Sequence, residues 1–188
     1  MDNKEKILTC ALELFSDRGY DAVGVQEIVN EAGITKPTLY HYFGSKEGLL
    51  QSLLTLKHEG LIKRLSQAAE YKGDLPLTMY RLTQAYFDYA KENRIFYRML
   101  LAMRFYPPAS DGYKVARPLV NEQIRVLEEL FTKASIQHGN MKGRQRTYAI
   151  TYLGMVNAYI ELHDNEDSLE EDNLIRKATH QFMHGIFS

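Results

Sequence analysis

Residues Val25 to Lys46 read VQEIVNEAGITKPTLYHYFGSK, and the breakers inside this stretch leave room for two short helices and little else. Ala32-Gly33 closes the first run, and a glycine at that reversal meets a left-handed φ without steric penalty. Ile28, Ala32, Ile34, Leu39 and Phe43 recur at helical spacing and form the inner face of the pair. Thr35 precedes the second run as an N-cap, and Pro37 falls in its first turn, where no N–H is needed. The second helix, from about Lys36 to Phe43, is about 10 Å long and turns Thr, Lys, Tyr and His outward instead of an apolar face. A short polar helix held across another by a tight turn is a helix-turn-helix, here over about residues 24–43. Its second helix suits a major groove about 12 Å wide.

Charge along the chain fits that reading only locally. The 188 residues carry a formal net charge of −1, and the first fifty hold five Lys/Arg against eight Asp/Glu. A general polycation is excluded, although phosphate neutralisation supplies much of DNA affinity. The fifteen residues Ala32 to Lys46 nonetheless contain no acid while carrying Lys36, His41 and Lys46. Lys36 and Thr38 are placed to reach base edges or phosphate. Tyr40, His41 and Tyr42 can donate to phosphate oxygens, and Lys46 reads as a phosphate clamp in the first turn of the next helix.

Outside the motif the apolar period is helical nearly everywhere, with no period-two strand, which makes the chain all-α with about nine helices. The first spans about Asn3 to Arg18, buries Ile7, Leu8, Ala11, Leu12, Leu14 and Phe15, and takes Cys10 into its core. Ser45 caps a long helix to about Tyr71. Further helices are expected over about Leu77 to Glu92, on to Phe105, then Tyr113 to Gln137, Gly143 to His163 and Leu169 to Phe187, with an acidic turn at 164–168. Charge interrupts every apolar stretch, so no membrane span is expected. The N-terminus has no apolar signal core, and a single cysteine forms no internal disulfide. Both point to a cytoplasmic protein.

The last two helices carry apolar residues on more faces than one domain covers readily. Tyr148, Thr151, Gly154, Met155 and Ala158 on the first, and Leu174, Ala178, Phe182 and Ile186 on the second, are the residues expected at a two-fold interface. Gly154 and Ala158 would form a low ridge for close approach. An aromatic and Met-rich region supplies candidates for an apolar ligand cavity: Tyr86, Tyr89, Phe96, Met99, Met103 and Tyr113, joined by Tyr152. His180 and His184 lie four apart without a third ligand, so no metal is expected. Neither a phosphate loop nor a nucleophile elbow occurs, so no cofactor and no enzyme activity are expected.

Phe15, Gly19-Tyr20, Ile28, Ala32-Gly33, Leu39-Tyr40, Phe43 and Ser45-Lys46-Glu47 with Leu49 together resemble the N-terminal DNA-binding domain of TetR/AcrR-type transcriptional regulators. Gly24, Val29 and Pro37 depart from residues common there. The resemblance covers about the first fifty residues. It implies a homodimer with a DNA-binding domain over 1–48 and an effector-binding and dimerisation domain over 49–188. It further implies a palindromic double-stranded operator and a repressor released by a small-molecule effector. Thr35, Lys36, Pro37, Thr38, Tyr40, His41, Tyr42 and Lys46 fall where members of that family touch DNA. The alternative for the C-terminal domain is response to a protein partner in place of a small ligand.

Overall fold

The computed structural model describes residues 2–165 and 170–185, and these form nine α-helices, one short 3-10 turn and no strand. The helices are α1 (Asn3–Arg18), α2 (Val25–Glu31), α3 (Lys36–Phe43), α4 (Lys46–Ala68), α5 (Leu75–Glu92), α6 (Arg94–Met103), α7 (Asp111–Ala134), α8 (Gln145–Asn165) and α9 (Glu171–His184). Most starts are set by caps. Asp2 and Glu5 make a capping box at α1, with the Asp2 carboxylate accepting the Glu5 N–H at 2.8 Å. Two helices begin earlier than the periodicity predicts, because Asp74 accepts the Leu77 N–H at 2.9 Å and Ser110 the Tyr113 N–H at 3.3 Å. The turn expected at Ser110-Asp111-Gly112 is therefore the first turn of α7. The 3-10 turn at Gly139–Met141 had no sequence expectation. Residues 166–168 of the expected acidic turn, and Ile186, lie outside the described residues.

Packing divides the chain into two compact units that differ from a break after residue 48. The first comprises residues 1–59 and 93–120, so α6 and the start of α7 join the three N-terminal helices. Within it α1 packs on α2, α3 and α6. Ile7, Leu8, Ala11 and Phe15 share its core with Ile28, Val29, Leu39, Phe43 and the α4 leucines Leu49, Leu50, Leu53 and Leu54. Leu12 and Leu14 are half-buried, as is Cys10, whose thiol pKa burial raises.

The second unit comprises residues 60–92 and 121–188, where α5 packs on α8 and α9, and α8 on α9. Its centre holds a chain of hydroxyls. The Tyr152 and Thr83 hydroxyls lie 2.8 Å apart, Thr179 donates to Thr83 at 3.2 Å, and Thr83 donates to the Met79 carbonyl at 2.9 Å. Buried hydroxyls persist because each finds a partner.

Burial holds the Tyr152 phenol protonated above its ordinary range, and the Thr83 hydrogen bond offsets this only in part. An unfolded phenol ionises near pH 10, so the contribution is intact below about pH 10 and is lost as pH rises toward the folded value. Unfolding free energy from urea titrations should therefore fall above pH 10, with Tyr152 contributing about 1.4 kcal/mol per pH unit. The Tyr152→Phe variant should show a shallower decline.

Candidate DNA-binding interface

The reading helix is built as its sequence dictates. Gly33 takes φ +63° at the turn. The Thr35 hydroxyl accepts the Thr38 N–H at 3.4 Å and lies 2.9 Å from the Thr38 hydroxyl, so it is a cap as well as a surface group. Leu39 is wholly buried and Phe43 nearly so, which fixes the rotation of α3 about its axis. That rotation leaves Thr35, Lys36, Pro37, Tyr40, His41 and Tyr42 exposed and Thr38 half-exposed. Tyr40 and Tyr42 keep 45% and 42% of their surface, too much for core residues. His41 and Tyr42 stand edge to face at 5.5 Å between ring centroids. Seven of the eight residues expected to touch DNA thus share one short surface. On α2, Glu27 accepts the Gly24 N–H at 3.0 Å and pairs with Arg18, which ties α2 to the end of α1. Both bonds hold the Glu27 carboxyl below its usual range.

Lys46, expected as a phosphate clamp, is the exception, because it is already engaged within its own unit. Its ammonium donates to the Tyr20 carbonyl at 2.5 Å and lies 4.1 Å from the Tyr20 ring centroid and 5.9 Å from that of Phe15. Burial lowers its pKa, while Asp21, Asp111 and Glu27 oppose that shift. An ammonium over an aromatic face is held by the ring quadrupole. Lys46 therefore ties the start of α4 to the α1–α2 connection. No sequence signal marked this, because the partner is a backbone carbonyl and two rings.

The expected dimer surface is divided by burial. Thr151, Gly154 and Ala158 are exposed on one stripe of α8, and an added Cβ at Gly154 would meet nothing within 4 Å. Ile150 and Leu162, not singled out from sequence, extend the stripe with 43% and 40% of their surface open. Leu174 and Ala178 are corrections: both are buried inside the subunit, because α9 uses that seam against α5 and α8. Met155, Tyr148 and Phe182 are half-buried, and the Phe182 ring lies 5.1 Å from that of Tyr152 and 5.8 Å from that of Phe131.

The seven residues expected around one ligand do not fall in one packing unit. Tyr86, Tyr89 and Tyr152 belong to the second, where Tyr86 and Tyr152 are fully buried with ring centroids 6.4 Å apart. Phe96, Met99, Met103 and Tyr113 belong to the first; of these only Tyr113 is more than slightly exposed. No cluster of three metal-binding side chains occurs among the described residues. No described helix is long and apolar enough to cross a membrane.

Residues 7–53 match the family of bacterial regulatory proteins named for TetR. The chain is 28% identical over its whole length, and over 84% of the relative, to the HTH-type transcriptional activator FasR of Mycolicibacterium smegmatis. In solved structures it resembles the TetR-family regulator PfmR of Thermus thermophilus, at 25% identity and a TM-score of 0.74 over 97% of this chain and 99% of that one. The fold also matches the transcriptional regulator FadR of Bacillus subtilis in complex with stearoyl-CoA, at 20% identity and a TM-score of 0.80 over 97% and 98% of the two chains. An exposed, capped reading helix at the matched positions, in a chain whose described residues form helices and no strand, identifies residues 7–53 as a TetR-family DNA-binding domain and the protein as a DNA-binding transcriptional regulator.

Proposed function

We propose that the protein is a cytoplasmic homodimer that grips a palindromic operator through α3 of each subunit and is released by a small-molecule effector. The observation that carries the reading is the outward display of Lys36, Tyr40, His41 and Tyr42 on a helix fixed by buried Leu39. Residues 1–48 make the DNA contacts, and residues 49–188 provide dimerisation and the response to the effector. Lys36 and the tyrosine hydroxyls hold phosphate, Thr35 and Pro37 set the first turn, and Thr38 and His41 face the bases. The exposed α8 stripe from Ile150 to Leu162 meets its two-fold copy.

Acyl-CoA thioesters are the first effectors to test. A structure of the same fold holds stearoyl-CoA, and the second unit offers an apolar interior around Tyr86, Tyr89 and Tyr152 with a hydroxyl chain inside it. Whether release silences or activates a gene depends on where the operator lies relative to the promoter.

Fluorescence anisotropy on labelled upstream fragments tests the reading. Wild type should bind one fragment saturably and be displaced by a long-chain acyl-CoA. Lys36→Ala should weaken binding and lower the slope of log affinity against log salt by about one per subunit. An unchanged salt slope would remove Lys36 from the phosphate contacts. No saturable binding to any fragment would overturn the assignment of α3.

A further inference from the structure

Outside the DNA surface, a cleft of about 830 Å³ opens in the first unit, between the C-terminal half of α1 and α6. Its volume lies in the range of small-molecule sites, about 300–1,000 Å³. One wall carries Glu13 and Asp17, four residues apart and so on one face of α1. The other carries Arg94 and Arg98 at the same spacing on α6. Phe15, Ile95, Met99, Ala102 and Tyr106 also line the cleft. Ile95 leaves 44% of its surface open there, although α1 and α6 pack on each other.

The two walls have opposite charge and do not close on one another. Glu13, Asp17 and Arg98 form no ion pair among the described residues. A simple anion entering the cleft meets Arg98 but also two carboxylates; a simple cation meets the reverse. A molecule carrying both charges around an apolar body satisfies both walls and covers Ile95 and Ala102.

From this we infer that the α1–α6 cleft is a binding site for a zwitterionic, apolar-bodied ligand, an apolar amino acid or short apolar peptide with free termini. Its ammonium faces Glu13 and Asp17, its carboxylate faces Arg98, and its side chain lies on Ile95, Met99 and Ala102. Because α1 also supports α2 and α3, the site gives the DNA-reading helices a second input, independent of the acyl-CoA reading above.

Methyl NMR of the full-length protein tests the site, with L-phenylalanine and leucyl-leucine as probes. Phenethylamine and 3-phenylpropionate serve as singly charged comparisons. At least one zwitterion should shift the Ile95, Met99 and Ala102 methyls saturably, with each singly charged comparison at least about tenfold weaker, one charged contact being worth about that factor. Asp17→Asn and Arg98→Gln should each weaken the zwitterion several-fold with an unchanged melting temperature, since both side chains are exposed. The inference is overturned if neither zwitterion gives a saturable shift. It is equally overturned if the singly charged molecules bind as well, if both variants bind like wild type, or if the shifts fall only on methyls of residues 121–163.

Discussion

Replacing Ala158 with glutamate should convert the dimer to a folded monomer and lower operator affinity about 10²- to 10⁴-fold, the range over which a second tethered contact raises avidity. Ala158 is exposed in the subunit, one turn from Gly154 and on the same stripe as Ile150 and Leu162. The subunit therefore has no internal reason to reject a larger polar side chain there. A two-fold interface does, because each copy would bring a carboxylate into an apolar contact with its own image. Size-exclusion chromatography with light scattering reads the mass, circular dichroism the helix content, and anisotropy the affinity. A variant that stays dimeric would move the interface away from the α8 stripe. Monomerisation without loss of affinity would show that the two reading helices do not act together.

Leu39→Ala should have the largest effect on stability, about 2–5 kcal/mol, the usual range for removing a buried leucine side chain. Leu39 is 0% exposed, on the inner face of a helix whose outer face is the DNA surface. A domain whose stability totals about 5–15 kcal/mol loses much of its margin by such a change. Operator binding should fall with it, because α3 no longer has one fixed rotation about its axis. The exposed neighbour Tyr42 gives the contrast: Tyr42→Ala should weaken DNA binding while the urea midpoint stays near wild type. A Leu39→Ala midpoint within experimental error of wild type would show that α3 is held by something other than this core contact.

The first fifty residues were largely legible because each feature there is local. The Thr35 cap, the Gly33 reversal and the Leu39/Phe43 face are set by residues within a few positions of one another. The helix bounds of α1 and α3 accordingly agree with the periodicity. Legibility failed where a side chain's partner is distant in sequence. Lys46 meets the Tyr20 carbonyl 26 residues away, and Thr83 meets Tyr152 and Thr179 from 69 and 96 residues away. Leu174 and Ala178 show a second kind of failure. An apolar seam on a helix reports that something covers it, but not whether that is α5 or another subunit. The aromatic set between Tyr86 and Tyr113 is divided between the two packing units, since closeness in sequence does not place residues in one unit.

If two copies of one short exposed helix read a symmetric operator together, hydroxyl-radical footprinting of the dimer on its bound upstream fragment will show it. Two protected patches related by a dyad are expected, with centres about 34 Å apart along the duplex or a multiple of that distance. Both patches should vanish together in Ala158→Glu. A single unsymmetric patch of unchanged strength in that variant, or no protection at concentrations that saturate binding, would contradict paired reading by α3.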